Sequence, residues 1–273
     1  MESQKELIHD VDWDTLIILD ACRYDYFEEI YRNYLSGNLN RVESLGYSTP
    51  MWLKKTFTGS YKDTIYVSGN PFVNSKVKMK GFYGKEKFFK VFDIWDGGFD
   101  NDKGTVPPET ISKTTRIARM EKPNKKIIAH FIQPHGPYLG FPESKKFFTG
   151  LNEVKSETMP KMEKLAIYLG EIASKVIGAS LVHKVGNYLN LNNPSPLERI
   201  AEEYGENKLC NSYRNNLKIV LNEVSKLAKR LPGKIIISAD HGEMLGEDDL
   251  YSHNSHHHLL KEAPWLEVEG VKG

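Results

Sequence analysis

Short apolar runs alternate with amphipathic stretches along this chain. Five apolar runs bounded by polar or turn residues predict strands: TLIILDA (15–21), TIYVSG (64–69), KIIAHFIQ (126–133), KIIISAD (234–240) and PWLEVEG (264–270). Apolar residues at helical spacing predict helices between them: DYFEEIYRNYL (25–35), PPETISKTTRIARM (107–120) and SYRNNLKIVLNEVSKLAKRL (212–231). This alternation predicts an α/β fold with a mostly parallel central sheet sandwiched by helices.

Two segments depart from that alternation. Residues 71–107 mix aromatic residues with Gly, Asp and Lys and support no assignment. Residues 142–206 have the pattern of a helical insertion, with a loop at LNNPSP (191–196). The chain has no internal repeat and no low-complexity tract, so residues 1–273 are expected to form a single α/β domain that carries this insertion.

The composition argues against several classes of function. The chain has 37 Lys+Arg and 36 Asp+Glu, and a net charge of +1 provides no overall field for nucleic acid or a membrane surface. Its cysteines, Cys22 and Cys210, provide neither a disulfide framework nor zinc-finger spacing. The polar start has no apolar signal core, and charged residues interrupt the most apolar stretch, 165–189. We therefore expect a cytoplasmic protein without a membrane span or a nucleic-acid partner.

Side chains with metal-binding or acid–base chemistry flank the predicted strands. In chain order they are Asp20, Gln133, His135, Asp240, His241 and His253. In a parallel sheet, ligands bind outside the carboxyl ends of the strands. A carboxylate oxygen combined with an imidazole nitrogen suits Zn²⁺ or Mn²⁺. The adjacent pair Asp240 and His241 therefore predicts a metal site at this edge.

Each of these residues also has an ordinary structural role open to it. Asp20 or Asp240 can cap a following helix, and His130, inside an apolar strand, is expected to be packed or hydrogen-bonded in the core. The histidine run 256–258 fits a loop that binds metal loosely. The coincidence of acids and imidazoles at several strand ends favours the metal site over separate structural roles.

Five motifs of the chain together resemble a known family. They are ILDACRYD, STPMW followed by TG, FIQPHGPY, SADHGEMLGE, and His253 followed by APWLEV. In order and spacing, from about residue 15 to residue 270, they resemble the alkaline phosphatase superfamily and, within it, the sulfatase-like branch. SADHGEMLGE is the most specific of them. The resemblance implies an alkaline-phosphatase-like fold and a metal-dependent esterase site.

The resemblance also implies roles for individual residues. Asp20 corresponds to a metal ligand after the first strand, and Asp240 and His241 correspond to an adjacent pair of ligands. The nucleophile is expected at a helix start, two residues before the proline of STPMW, which is Ser48, with Thr49 as the backup. Metal coordination lowers the pKa of a hydroxyl, so Ser48 is expected to be both a nucleophile and a ligand. The same residues also form a helix-capping signal, and both roles are compatible.

The chain departs from the family pattern at two points. Sulfatases carry a Cys/Ser-x-Pro-x-Arg motif, and here Trp52 stands where the arginine would be, which argues against sulfatase activity. Two-metal members carry an acid four residues before the histidine of the third-strand motif, where this chain has Phe131. Asp100 or Asp102 could supply that missing carboxylate from elsewhere.

One firmly bound divalent ion, zinc or manganese, is therefore expected. Its predicted ligands are Asp20, Ser48, Asp240, His241 and, in addition, His253. His135 and His253 are expected to bind the substrate oxyanion, to act as acid or base near neutral pH, or to complete a second, weaker metal site.

These residues predict a metal-dependent hydrolase of phosphate esters, with Ser48 and His135 as catalytic residues. The expected substrate is a small-molecule or a glycan- or lipid-linked phosphoester, contacted by Arg23, Gln133 and His135. Arg23 can instead pair with Asp25. The alternatives are a sulfatase acting through a modified Ser48, a transferase of a phosphate-containing group, and a non-catalytic member of the fold that binds an anion or a partner.

Overall fold

The computed structural model describes residues 1–148, 194–253 and 255–272. The strands in these ranges are β1 (Glu2–Ser3), β2 (Thr15–Leu19), β3 (Leu35–Glu43), β4 (Tyr61–Ser68), β5 (Phe88–Asp93), β6 (Lys126–Phe131), β7 (Ile235–Ala239), β8 (Met244–Leu245), β9 (Tyr251–Ser252) and β10 (Glu262–Val271). The helices are α1 (Gln4–Asp10), α2 (Tyr24–Ile30), α3 (Thr49–Thr56), α4 (Gly84–Lys87), α5 (Ile94–Gly97), α6 (Pro108–Glu121), α7 (Pro196–Tyr204) and α8 (Glu206–Ala228). Short 3₁₀ turns cover Tyr31–Asn33, Pro142–Phe147, Glu247–Asp249 and His258–Leu260.

An eight-stranded sheet forms the centre of the molecule, in the order β1-β3-β10-β7-β2-β6-β4-β5. The five strands from β7 to β5 run parallel to one another. β10 is antiparallel to both of its neighbours, β3 and β7. β8 and β9 form a separate small ribbon. A mostly parallel sheet flanked by helices confirms the predicted fold class.

The core lies on both faces of the central strands. Every residue of β2 and β7 is buried, as are all but the first residue of β6. Because successive side chains of a strand point to opposite faces, burial of a whole strand requires cover on both sides. Helix α8 contributes to that cover with a buried apolar stripe that includes Leu217, Val220, Leu221 and Val224.

Five of the described strands were missing from the sequence prediction, and the two longest of them are β3 and β5. β3 follows directly after the predicted helix 25–35, which ends in the structure as α2 and a 3₁₀ turn before Leu35 begins the strand. β5 lies inside the segment 71–107, which had no assignment. β3 alternates irregularly between buried and exposed positions and carries Asn, Arg and Gly, so its sequence lacks a clear strand pattern.

The predicted insertion at 142–206 is described only near its ends. A 3₁₀ turn covers Pro142–Phe147, and α7 begins with a capping box between Ser195 and Glu198. The rest of the insertion, including the apolar stretch 165–189, lies outside the described residues. Within the described ranges, no helix is long and apolar enough to cross a membrane.

Candidate metal centre and active site

The carboxyl ends of neighbouring parallel strands meet at one edge of the sheet. β2 lies between β6 and β7, with Leu19 opposite both Phe131 and Ala239. The residues that follow β2 and β7 are Asp20 and Asp240, so the two acids leave the sheet side by side. The strand order thus brings together residues that are far apart along the chain.

Asp20, Asp240 and His241 form a buried cluster in which one ligand atom from each lies within 4.8 Å of the others. His241 Nε2 is 3.5 Å from Asp240 Oδ2 and 3.7 Å from Asp20 Oδ1. Oxygen and nitrogen atoms bound tetrahedrally to one zinc ion, at about 2.0–2.2 Å, lie about 3.3–3.6 Å apart. The spacing of these atoms therefore fits a shared divalent ion after small shifts.

Backbone and side-chain donors hold the two carboxylates in place. Asp240 Oδ1 accepts hydrogen bonds from the backbone N–H groups of Ala21 (3.0 Å) and His241 (2.9 Å). Ala21 has a φ of 55°, which is uncommon for alanine, and its N–H faces Asp240 in this conformation. Asp20 Oδ2 accepts a hydrogen bond of 2.6 Å from the side-chain amide of Asn70. Asn70, which directly follows the predicted strand 64–69, was not predicted as a site residue.

The cluster carries negative charge that its protein surroundings do not balance. Burial, followed by the nearby charge of Asp240, raises the pKa of Asp20 well above its usual value. Within the described ranges, the ion-pair partners of Asp20 and Asp240 are histidines rather than lysines or arginines. A divalent cation would supply the missing positive charge.

The imidazole of His241 is suited to bind such a cation. Burial lowers the pKa of His241 to about 3, so the ring is neutral at neutral pH. Its Nδ1–H donates to the carbonyl of Gly242 at 2.7 Å, which leaves the lone pair of Nε2 free on the side of the acids. Two carboxylates and a neutral imidazole form a donor set that fits Zn²⁺ or Mn²⁺.

Among the described residues, the hydroxyl group that is hydrogen-bonded to a carboxylate of this cluster belongs to Thr49. Its Oγ1 donates to Asp240 Oδ2 at 2.7 Å and accepts a hydrogen bond of 3.2 Å from the Asn70 amide. Ser48 is the N-cap residue of α3, and its hydroxyl makes no capping hydrogen bond. Thr49, the backup nucleophile of the sequence analysis, is thus the residue in contact with the acids, rather than Ser48. The sequence could not separate the two, since adjacent hydroxyls both fit a helix start before a proline.

A second cluster, formed by His135, Glu243 and His253, lies beside the first. Glu243 is 1% exposed, with Oε1 3.4 Å from His253 Nδ1 and Oε2 3.8 Å from His135 Nε2. The rings of His253 and His241 lie 4.9 Å apart, so the two clusters adjoin. Burial acts to raise the pKa of Glu243, but the surrounding histidines outweigh it and leave this pKa below its usual value. Glu243 is a carboxylate that the sequence prediction missed, although it lies within SADHGEMLGE.

The other acids and histidines that the sequence suggested lie outside these clusters. Asp100 accepts hydrogen bonds from the backbone N–H groups of Asp102 and Lys103 in its own turn. Neither Asp100 nor Asp102 belongs to a group of metal-ligating side chains within the described ranges. In the histidine run, His257 pairs with Asp248 at 3.3 Å, outside both clusters.

Arg23 and Gln133 were predicted to contact the substrate, but in the structure they contact other residues of the protein. The buried guanidinium of Arg23 forms ion pairs with Asp25 (2.7 Å) and with Glu247. Gln133 is fully buried, and its amide donates to Thr105 Oγ1 at 3.3 Å. These contacts favour structural roles for both residues, and for Arg23 the pairing with Asp25 is the alternative that the sequence suggested.

Comparison with known proteins gives matches among solved structures. No family model matches the chain, and no curated protein matches it. It is similar to the soluble domain of lipooligosaccharide phosphoethanolamine transferase A from Neisseria meningitidis, with 14% identity, a TM-score of 0.49 and coverage of 93% of this chain and 76% of the other.

Two further solved structures show a similar degree of resemblance. A putative sulfatase from Bacteroides thetaiotaomicron has 12% identity and a TM-score of 0.49, with coverage of 94% of this chain and 64% of the other. A phosphonate monoester hydrolase from Silicibacter pomeroyi has 14% identity and a TM-score of 0.46, with coverage of 93% and 67%. These proteins belong to the sulfatase-like branch of the alkaline phosphatase superfamily, which the motifs of this chain resemble. At such identities the similarity concerns the fold alone.

Proposed function

We propose that this protein is a metal-dependent hydrolase of phosphate esters in which Thr49 is the nucleophile. The observation that carries the proposal is the position of the Thr49 hydroxyl, 2.7 Å from Asp240 in the cluster that Asp240 forms with Asp20 and His241. A hydroxyl group, two carboxylates and a free imidazole nitrogen are the components that a metal-activated oxygen nucleophile requires.

The proposed ligands of the ion are Asp20, Asp240, His241 and Thr49. When bound, a zinc or manganese ion supplies Lewis acidity, which lowers the pKa of a coordinated hydroxyl and offsets charge on phosphoryl oxygens. Asn70 donates to both Asp20 and Thr49, so its amide fixes the position of the nucleophile relative to a ligand.

In the proposed reaction, Thr49 Oγ1 attacks phosphorus and a new P–O bond forms. The proton of the hydroxyl passes to Asp240, whose Oδ2 already accepts its hydrogen bond. The bond to the leaving alcohol breaks with both electrons, and that oxygen takes a proton from His135. Water then attacks the phosphothreonine and gives a proton to His135, while Thr49 Oγ1 leaves and recovers its proton from Asp240.

The second cluster supports this reaction at the mouth of the site. His135 and His253 each retain 27% side-chain exposure, so they can meet a substrate, whereas Glu243 between them is buried. The carboxylate of Glu243, with Oε2 3.8 Å from His135 Nε2, holds the ring of the histidine that acts as the acid. The same three side chains are also the candidate ligands for the second, weaker metal site.

Phosphate is the favoured ester because of the surroundings of Trp52. Its ring is fully buried, and its indole N–H donates to Gln4 Oε1 at 2.8 Å. The sulfatase motif would carry an arginine at this position. In this chain the position is occupied by a tryptophan that packs in the core. The chain therefore lacks the arginine that accompanies the modified residue in the sulfatase motif, which argues against cleavage of sulfate esters.

The test is a hydrolysis panel on metal-stripped protein that is then loaded with Zn²⁺ or Mn²⁺. The panel holds an aryl phosphate monoester, a phosphate diester and an aryl sulfate. Thr49→Ala is expected to lower kcat on the order of 10³-fold or more, because it removes the nucleophile. Thr49→Ser keeps a hydroxyl and is expected to retain activity.

Ser48→Ala is the matched control, since it removes the adjacent hydroxyl and is expected to change kcat less than about threefold. A Thr49→Ala enzyme with full activity would exclude the proposed nucleophile. Loss of activity in Ser48→Ala alone would restore Ser48 to that role. An acid-quenched reaction that carries its phosphoryl group on Thr49, located by mass spectrometry, would identify the intermediate.

A further inference from the structure

His130 lies directly behind the metal cluster, in the carboxyl-terminal half of β6. Its side chain is fully buried, and its Nδ1 forms a hydrogen bond of 2.8 Å with the hydroxyl of Tyr66 on β4. Its Nε2 has no hydrogen-bond partner among the described residues. That nitrogen is 4.0 Å from Asp20 Oδ2 and 3.9 Å from Asp240 Oδ2, so it faces both acids without bonding to either. A buried polar atom without a partner needs a reason beyond packing.

The hydrogen bond to Tyr66 indicates which nitrogen of His130 carries the proton. Burial and the nearby acids raise the pKa of Tyr66 well above its usual value, so the phenol keeps its proton. His130 Nδ1 is the partner of this hydroxyl. If Nδ1 carried the imidazole proton, the buried phenol would have to direct its own proton elsewhere. The hydrogen bond between the two side chains is satisfied when the Tyr66 hydroxyl donates to Nδ1. The imidazole proton is then on Nε2.

Tyr66 and the two acids lie on opposite sides of the imidazole. With the Tyr66 hydroxyl donating to Nδ1, the Nε2–H group is directed towards the carboxylates of Asp20 and Asp240. The Trp52 ring system also packs near the imidazole in an edge-to-face arrangement, with ring centroids 6.1 Å apart.

We propose that Tyr66 and His130 form a hydrogen-bond relay that positions Asp20 and Asp240 for the metal. In this relay Tyr66 holds the tautomer of His130, and the Nε2–H group is available to the carboxylate oxygen that the cation leaves free. His130 and Tyr66 are positioning residues and do not touch the ion or the substrate. The inference rests on the metal site of the proposed function but concerns metal affinity rather than the reaction.

The experiment measures the affinity of the full-length protein for Zn²⁺ and Mn²⁺ by competition with a chromophoric chelator. His130→Phe keeps a planar ring and removes the donor, and residues that orient metal ligands typically contribute about 10- to 100-fold to affinity. A loss in that range is expected. His130→Gln carries an amide N–H about as far from the backbone as Nε2, and it is expected to restore most of the affinity.

Tyr66→Phe tests the other half of the relay and remains informative if His130→Phe does not fold. It is expected to weaken metal binding less than His130→Phe does, because the donor stays but its tautomer is no longer fixed. Tyr31→Phe is the matched control for a buried tyrosine outside the site, and it is expected to leave the affinity within about twofold.

Three results in the affinity measurements would overturn the relay. Affinities within twofold of the wild type in both His130→Phe and Tyr66→Phe would show that the pair does not act on the ligands. Equal losses in His130→Phe and His130→Gln, with no effect of Tyr66→Phe, would show that His130 binds the ion itself. A wild-type protein that binds neither ion would remove the relay together with the metal site.

A long-range ¹H–¹⁵N NMR spectrum of the metal-free protein provides a readout that is independent of metal and of activity. The relay requires the proton of His130 on Nε2, and a proton on Nδ1 would contradict it. The proposed function can fail separately, because tight metal binding that depends on His130 could occur in a protein that hydrolyses no ester in the panel.

Discussion

Replacing Asp20 by asparagine is expected to stabilise the metal-free protein and to remove its stabilisation by metal. Asp20 and Asp240 are both buried, within a cluster whose ligand atoms lie within 4.8 Å of one another. Two unit charges 4.8 Å apart repel by about 3.5 kcal/mol at an effective dielectric constant of about 20. Asparagine keeps an oxygen for the Asn70 amide and removes one of the two charges.

The net gain should be smaller than the full repulsion, since a carboxyl whose pKa is raised by burial and by the charge of Asp240 can relieve part of that repulsion by binding a proton. We expect the free energy of unfolding without metal to rise on the order of 1–3 kcal/mol, which at about 2 °C per kcal/mol is about 2–6 °C in Tm. A raised pKa means that the protonated form is favoured in the folded state. The cost of the charge is therefore present at neutral pH and disappears as the pH falls towards 3.8, the ordinary pKa of an aspartate, where the variant should lose its advantage.

Thermal unfolding in chelator and in excess Zn²⁺ measures both effects. An ion present at 100 times its Kd stabilises the wild type by about 2.7 kcal/mol, and Asp20→Asn should lose most of this increment. Asp102→Asn is the control, because Asp102 is exposed and lies outside the clusters. A lower Tm than the wild type in chelator, or an equal increase of Tm with zinc in both proteins, would refute the electrostatic argument.

Three further substitutions test other parts of the structure. Glu243→Gln removes the charge that holds two histidines, and kcat for phosphate ester hydrolysis should fall by about 10- to 100-fold in steady-state kinetics. Gly242→Ala would place a Cβ 2.1 Å from the carbonyl oxygen of Leu259, so urea unfolding should show a loss of about 1–3 kcal/mol. Gln4→Ala leaves the buried indole N–H of Trp52 without its acceptor, and urea unfolding should show a loss of about 1–3 kcal/mol while the remaining fold is retained.

The central strands were predictable because they are buried on both faces. β2, β6 and β7 are apolar along nearly their whole length, and a short apolar run between turn residues is typical of a buried strand. β3 was missed because much of it is exposed or only partly buried, and its strand conformation depends on the ladder that it forms with β10. The antiparallel direction of β10 was also unpredictable, since direction depends on the path of the chain and not on the local pattern.

The residues of the candidate site also differ in whether the sequence alone could identify them. Asp20, Asp240 and His241 could be named from the sequence because each follows an apolar strand, and the rule that ligands bind at strand ends is general. Glu243 could not be assigned a role in the same way, because its burial depends on the fold around it. Ser48 and Thr49 are adjacent at the start of α3. Only the direction of each side chain distinguishes them.

The contacts that build the site are almost all distant in sequence, and this links metal binding to folding. Asp240 accepts hydrogen bonds from Ala21 and Thr49, which are 219 and 191 residues away. An unfolded chain cannot present these ligands together, so binding of the ion should stabilise the whole sheet edge rather than a local loop. Without the ion, the same edge holds two buried acids at a cost in stability. A fold that only needed to be stable would gain by neutralising one of them, so the buried pair favours a cation that binds to the folded protein.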